Sequence, residues 1–491
     1  MHPTRRPDPP PENEPLPGGR AAARRATTQR TVVTAVFVSA TFLSVMDGSI
    51  VNVALPSIAR DLDVAPTAVS ATTTVYLVTL AVIIPTAGWV GDRFGQRRVM
   101  LLAIATFGLG SLLCAVAQDF PQLALARVLQ GIGGGMMMPT GTTLLYRTFP
   151  PDQRARLARI LLLPPSVAAA VGPLFGGALV THVSWRWIFL INVPVCAAVV
   201  LYGGLFLRGP ATKEEAGSFD AVGLLLAATG FAALVHGVGR GPQQGWTDPM
   251  TLATLVSGVV LVGILIVHQL HRREPALRLT LYRNSLFRLG SSLVFLYTAV
   301  LQGVLLTIAL LVQEGLGGSA WTSGLATLPQ AVGVVVGAQV ASRWLYQRLG
   351  PGPLAAIGLS GVAASCVAAA FVRTPGQLWL LQGAMFATGY FVAHVMVATQ
   401  AATVAQIEHA DLSRASALFI SSRQLGGAAG IAFASTLIAT ATPSHDGLRP
   451  ALGGYHTAFL GAAALALLGT ALALRINNRD AAATFEPGTA P

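Results

Sequence analysis

Asp47 and Arg127 lie inside runs that are otherwise apolar, and they are the residues of this chain best placed to do chemistry. Asp47 is the only charge between Thr31 and Pro56, in Met46-Asp47-Gly48-Ser49-Ile50-Val51-Asn52-Val53-Ala54-Leu55-Pro56. On a helix starting near Thr31 it stands ~24 Å along the axis, at about 1.5 Å per residue. A carboxylate there is costly to keep charged and unpaired. It is a candidate to hold a proton when dry and to give it up when wetted or met by a cation. Arg127, in Leu125-Ala126-Arg127-Val128-Leu129-Gln130-Gly131-Ile132-Gly133-Gly134-Gly135, is ionised at any working pH and needs a polar cavity or a partner. Because it lies close to the start of its run, an arginine reaching out to a polar surface is the alternative.

Further along, Arg423-Gln424 precedes Gly426-Gly427 inside another apolar run. It is a second buried cation, facing either a cavity or a partner such as Glu408. Tyr297, Gln302, Gln330, Tyr390 and His394 are polar or aromatic residues in apolar runs that could line a binding cavity, though each could equally be a packed, hydrogen-bonded side chain. His394 titrates in the useful range.

Two glycine-punctuated patterns are more specific. Residues 88–98 read Gly88-Trp89-Val90-Gly91-Asp92-Arg93-Phe94-Gly95-Gln96-Arg97-Arg98. Here Gly88 permits close helix approach, Asp92 can pair with arginine or cap a helix, and the arginines anchor a polar face. Residues 172–177 read Gly172-Pro173-Leu174-Phe175-Gly176-Gly177, where small residues four apart allow close packing and proline bends the helix.

The elements that position these residues follow from composition. Of 491 residues 53% are hydrophobic and only 11% charged, with mean hydropathy +0.62. Charged residues are depleted about twofold relative to soluble chains, which excludes an ordinary soluble enzyme. After residue 30 the chain is a series of runs about 20 residues long, each sufficient to cross a ~30 Å hydrocarbon core as a helix. Fourteen are read: 31–55, 68–90, 99–118, 122–146, 156–181, 186–207, 219–239, 249–270, 287–312, 322–345, 353–372, 376–404, 413–440 and 455–475. In such a setting Asp47 costs at least ~2.5 kcal/mol to insert. Residues 1–30, rich in proline and then arginine, read as a disordered tail.

The net charge of +12 and the pI near 10.5 are a topology signal. Of 32 Lys+Arg, 25 fall on the side of the N-terminus and five on the other. This bias sets both termini in the cytoplasm and removes a nucleic-acid partner. Cys114, Cys196 and Cys366 have neither disulfide nor metal-ligand spacing and read as buried apolar fillers.

The chain also echoes itself at a spacing near 254. Phe94-Gly95 recurs as Leu349-Gly350, Gln130-Gly131 as Gln382-Gly383, and Gly172/Gly176 loosely as Gly427/Gly430. The offset of eight spans gives an all-α polytopic membrane protein: six helices over 31–207, two inserted helices over 208–270, a linker over 271–285, six helices over 286–476, and a tail over 477–491. Two such halves around a mid-membrane site are a transporter architecture.

These motifs resemble the major facilitator superfamily, in its fourteen-span drug:proton antiporter branch. The Asp47 segment is similar to that branch's first-span signature and residues 88–98 to the superfamily's loop motif, with Gly91 where Ala is usual. Arg127 to Gly131 is similar to the fourth-span motif and Gly172 to Gly177 to the antiporter motif. Trp185-Arg186-Trp187-Ile188-Phe189, with Asn192 and Pro194, matches the start of the sixth span. In the second half Gln347-Arg348-Leu349-Gly350 lacks the matching Asp. The resemblance implies the major facilitator fold and proton-coupled export of hydrophobic, cationic or zwitterionic drugs or antibiotics, with drug and proton competing for Asp47. Asp47, Arg127, Arg423 and His394 would serve coupling and substrate. Gly88, Asp92, Arg93, Gly95, Arg97 and Arg98 would latch the halves, and Gly172, Pro173, Gly176 and Gly177 would set the export direction. The partners are a hydrophobic small molecule, protons and membrane lipid, with the chain a monomer in the cell membrane. No cofactor is expected, the proton being the coupling ion. Export of an endogenous metabolite, or nutrient uptake on the same fold, is the alternative. No His-Glu-x-x-His, Gly-x-Ser-x-Gly or phosphate-loop pattern occurs, so neither an enzyme nor an ATP-driven pump is indicated.

Overall fold

The computed structural model describes residues 17–149, 167–168, 171–207, 219–272, 275, 277–403, 406–407, 411–440 and 452–478. Among them there is no strand, as expected where lipid leaves each backbone polar group to be satisfied within its own segment. The helices are α1 (Pro17–Asp61), α2 (Pro66–Phe94), α3 (Gln96–Val116), α4 (Phe120–Thr148), α5 (171–182), α6 (Trp187–Phe206, divided by a turn at Ile191), α7 (Ala221–Gln244) and α8 (Pro249–His271). They continue as α9 (Ser285–Leu310), α10 (Ala320–Val340), α11 (Pro351–Ala369), α12 (Leu378–Ala402), α13 (Leu412–Thr440) and α14 (Leu452–Ala473).

Each of the fourteen expected segments, so far as it is described, falls on one of these helices. Eleven described helices are long and apolar enough to cross a membrane. Of the other three, α4 and α13 have 29 residues each, diluted by Gly, Thr and Arg, and α5 is the described part of its segment. The first helix starts earlier than expected. The Ala- and Arg-rich run before residue 30 is made of strong helix formers, so helix begins at Pro17, inside the segment read as a tail. Residues 1–16 lie outside the described residues. Cys114, Cys196 and Cys366 are buried and free.

The packing repeats with the offset the sequence suggested. α2 packs on α4 as α10 packs on α12, and α3 on α4 as α11 on α12. Likewise α3 meets α6 as α11 meets α14, and α1 meets α4 as α9 meets α12. The turns repeat as well. Gly95 (φ 89°) joins α2 to α3, and Gly350 (φ 72°) leads from the α10 side into α11. This left-handed backbone is open to glycine and strained for most other residues, which is why the Phe-Gly and Leu-Gly echo was visible. The six leading and six trailing helices meet through α2 against α13 and α5 against α10. The inserted α7 and α8 pack on one another, and α7 rests on α2 and α13.

The helices alternate in direction, so the start of α1 and the end of α14 share one end of the bundle, the proximal end. At the distal end α9 runs into a wide π turn, Leu311–Gly315, which sets Gln313 and Glu314 against α1. Within the second half, α13 approaches α9 closely because of its glycines: a Cβ at Gly430 would fall on the Ala299 carbonyl. Gly430→Ala should therefore lower the thermal midpoint of the purified protein by an amount corresponding to about 1–3 kcal/mol of overpacking. Gly383→Ala, whose Cβ would enter open space, should leave the midpoint unchanged or raise it slightly. Equal midpoints for the two variants would contradict this account of the α9–α13 contact.

Candidate functional site

The deepest polar cluster is built on α1, α3, α4 and α6. Asp47 and Arg127 have no exposed side-chain surface and pair at 2.6 Å, Nη1 to Oδ2. Gln130 shares a face of α4 with Arg127 through its i, i+3 spacing. Its Nε2 donates to Asp47 Oδ1 at 2.8 Å and to Ser111 Oγ at 2.7 Å, while its Oε1 accepts from Arg127 at 2.5 Å. Asn192 Nδ2 lies 3.4 Å from both Asp47 Oδ1 and Ser111 Oγ. Glycines bring these helices together. A Cβ at Gly110 would stand 2.6 Å from the Gln130 nitrogen, and one at Gly133 would stand 2.5 Å from the Phe107 nitrogen.

The remaining faces of Arg127 are aromatic. Its Cζ sits 4.1 Å from the Tyr76 ring centroid and 5.7 Å from that of Phe189, and its Nε and Nη2 find no hydrogen-bond acceptor. The ring face takes the place of an acceptor for a cation in a dry site. Arg127 is thus a partner of Asp47 and not a surface arginine: its side chain has no exposed surface. Every polar neighbour of Asp47 is a donor, the pattern a carboxylate requires and a carboxylic acid does not.

Gly172 and Gly176 set α5 on α1, where added Cβ atoms would strike Ser49 and Ile50. On its other side α5 meets the second half. A Cβ at Gly177 would lie 2.7 Å from the Ala320 carbonyl, and one at Gly324 would lie 2.6 Å from the Pro173 carbonyl. Nearby the Trp321 N–H donates to Thr181 Oγ1 at 3.1 Å. The Gly-Pro motif is therefore a three-helix junction at the distal contact between the halves. That contact continues in an Arg60–Glu314 ion pair at 2.8 Å, a Gln313 Nε2 to Val53 carbonyl bond at 2.9 Å, and a Ser70–Ser435 hydroxyl pair at 2.7 Å. Trp185 is buried, donating to Asp61 at 2.9 Å, and Arg186 pairs with the same carboxylate, so these residues tie the distal ends of α1 and α6.

The charged residues of the 88–98 motif make their described contacts within the first half, while Trp89 packs on Phe219 at the start of the inserted pair, with ring centroids 4.5 Å apart. Asp92 accepts from Gln96 at 3.1 Å and stands 3.7 Å from Arg147 of α4, and Arg97 donates to the Gly204 carbonyl of α6 at 2.6 Å. Arg93 and Arg98 are exposed. The expected latch between halves is thus not formed by these bonds in this conformation. Gly88 is also exposed, and among the described residues a Cβ there would meet nothing within 4 Å, so no described helix approaches it closely.

The second-half candidates separate into two groups. Tyr390, His394 and Gln330 belong to the α10–α12 packing, where Cβ atoms at Gly333 and Gly337 would strike the Tyr390 backbone. The His394 ring lies 4.8 Å from that of Tyr390, and its Nδ1 donates to the Tyr390 carbonyl at 2.8 Å, a packed histidine bonded along its own helix. Tyr297 and Gln302 instead lie on α9 where it meets the Arg423–Gly427 turn of α13: Thr298 donates to the Arg423 carbonyl, and an added Cβ at Gly427 would stand 3.2 Å from Gln302. Glu408, its expected partner, lies outside the described residues. Sequence reasoning missed Ser111 and Tyr76, whose types carry no signal by themselves. It also missed the distal tie of Arg60, Gln313 and Glu314, for which an ionisable pair flanking two run ends was the available clue.

Comparisons with known proteins agree with this architecture. The Major Facilitator Superfamily model matches residues 37–375 and 290–490. The chain is 32% identical over 434 residues to the Multidrug resistance protein B homolog of Mycobacterium tuberculosis (strain CDC 1551 / Oshkosh), covering 87% of this chain and 80% of the relative. It is 29% identical over 412 residues to the Uncharacterized MFS-type transporter YhcA of Bacillus subtilis (strain 168), covering 84% and 77%. Among solved structures, the nucleoside transporter NupG superposes with a TM-score of 0.62 at 13% identity, over 90% of this chain and 99% of that one. That likeness concerns the fold alone. Two repeated sets of six helices and a family match spanning both make the chain a member of the major facilitator superfamily of membrane transporters.

Proposed function

We propose that the protein exports hydrophobic small molecules, drugs or antibiotics among them, across the cytoplasmic membrane in exchange for protons. The chain crosses fourteen times with both termini cytoplasmic, in keeping with the 25-to-five distribution of Lys+Arg. The name of the mycobacterial relative supports a multidrug role. The observation that carries the coupling is the dry Asp47–Arg127 pair, with only donors facing the carboxylate.

A proton arriving on Asp47 turns one of its oxygens into a donor with no acceptor opposite it. At least one of the contacts to Arg127, Gln130 or Asn192 must then open. Asp47 lies one turn from Ser49 and Ile50, on which the α5 glycines rest, and two turns from Val53, whose carbonyl receives Gln313. A shift of α1 thus reaches both parts of the distal contact, and opening that contact exposes the interior to the outer side. Each proton moving inward supplies ~2.3 kcal/mol per 100 mV, plus the pH gradient.

In proteoliposomes, Asp47→Asn should reduce pH-gradient-driven dye flux per reconstituted protein by roughly tenfold or more. Unchanged flux would remove Asp47 from the mechanism. The same variant leaves the Arg127 guanidinium buried without a counter-charge, a loss of about 3–5 kcal/mol. Combining Asp47→Asn with Arg127→Gln should recover most of that stability without recovering gradient-driven flux. A double variant no more stable than the single one would show that charge pairing is not what the cluster contributes.

A further inference from the structure

Among the described residues the interior charge is not balanced once Asp47 has been assigned to Arg127. Among the described acidic residues Asp47 alone lies at mid-depth. Asp61, Asp63, Asp119, Asp248 and Glu314 stand at distal helix ends, and Asp92, Asp220 and Asp411 at proximal ones. Arg423 is the cation left over. It lies eleven residues into α13, about 16 Å from the proximal end at 1.5 Å per residue. Its side chain is half-buried and has no ion-pair or hydrogen-bond partner among the described residues.

The position of Arg423 follows from its neighbours on the same helix. One turn further, Gly427 faces Gln302 of α9 and Leu77 of α2, with an added Cβ 3.2 Å from each. On one flank Gly426 and Gly430 press on the α9 backbone, and the Arg423 carbonyl accepts from Thr298 at 3.1 Å. On the other flank Ser421 donates to the Ala81 carbonyl of α2 at 3.0 Å. Arg423 therefore shares the strip of α13 that looks into the wedge between α9 and α2, which belong to opposite halves. Tyr297 of α9 immediately precedes Thr298, whose hydroxyl donates to the Arg423 carbonyl. A half-buried guanidinium inside the bundle, with no partner among the described residues, is costly, and arginine geometry suits two-point recognition of a carboxylate.

Resting on the transport reading above, we propose that Arg423 is the counter-ion of the transported molecule, which carries an anionic group, as a carboxylate or as the negative end of a zwitterion. Tyr297 and Gln302 supply neutral hydrogen-bonding groups beside it, and the rest of the substrate lies against apolar helix faces. A purely cationic substrate would meet a like charge here and, with Asp47 already paired, no free carboxylate to receive it.

Rhodamine B, a zwitterion, and its ethyl ester, a cation, differ only in the carboxylate. Binding of each to purified full-length protein can be followed by fluorescence polarisation, alongside the thermal midpoint of every variant. Wild-type protein should bind the acid more tightly than the ester by roughly tenfold or more. Arg423→Gln should abolish that preference by weakening the acid alone, and Arg423→Lys should restore part of it. Wild-type protein binding the ester as well as the acid, or binding neither dye better than Arg423→Gln does, would overturn the proposal, as would a preference that survives Arg423→Gln. Gradient-driven flux of the same dyes in liposomes reports on proton-coupled export separately: a charge preference in binding without gradient-driven flux refutes the coupling and leaves the Arg423 assignment standing.

Discussion

In the proposed mechanism a salt bridge with no exposed side-chain surface governs this protein. Asp47 and Arg127 could each be tolerated singly only at a cost of several kcal/mol, and together they neutralise one another at the centre of the first half. Much around them serves that pair. Glycines on α3 and α4 bring Gln130 and Ser111 within reach, Asn192 enters from α6, and the Tyr76 ring covers the side of the guanidinium that finds no acceptor. Such a pair adds little net stability compared with a well-packed apolar alternative, so its presence suits a switch better than a brace.

In the proposed mechanism the connection from switch to gate runs along α1. The helix carries Asp47, the seat for the α5 glycines, the Val53 carbonyl and, at its distal end, Arg60 and Asp61. Four of its turns thus touch the proton site, the junction with α5, the π turn after α9 and the start of α6. The Gly-Pro motif sits where α5 is clasped between α1 and α10, so it couples movement of the first to contact with the second. At the opposite end the contacts of Asp92 and Arg97 stay inside the first half. A conformation joined distally, with the charges of that motif turned to its own half, is what the proposed export mechanism requires of one side of an alternating-access cycle.

Much of this was legible in the sequence for identifiable reasons. Apolar run length marks helices because lipid demands it, and the Gly95/Gly350 echo was readable because a left-handed turn strongly favours one residue type. The Asp47–Arg127 partnership was not legible: eighty residues of separation carry no distance information, and a helix-end arginine has a plausible life at the membrane surface. The sequence shows Gly88 as a small residue but not whether a neighbour stands opposite it, and none does among the described residues. The helical start at Pro17 was hidden by the prolines before it, although the Ala-Arg stretch that follows favours helix by itself. His394 looked like a titrating site because its residue type does, whereas its Tyr390 bond marks a packed side chain.

The central claim is that Asp47 alternates between an ion-paired carboxylate and a protonated acid. Infrared difference spectroscopy of reconstituted protein, cycled between high and low pH, observes that event directly through the carboxylic-acid C=O stretch. The account predicts a band from a buried protonated carboxyl that grows at low pH, is present in wild type and is missing in Asp47→Asn. A spectrum in which wild type and Asp47→Asn are identical across the working pH range would mean that the pair never opens, and would contradict the account.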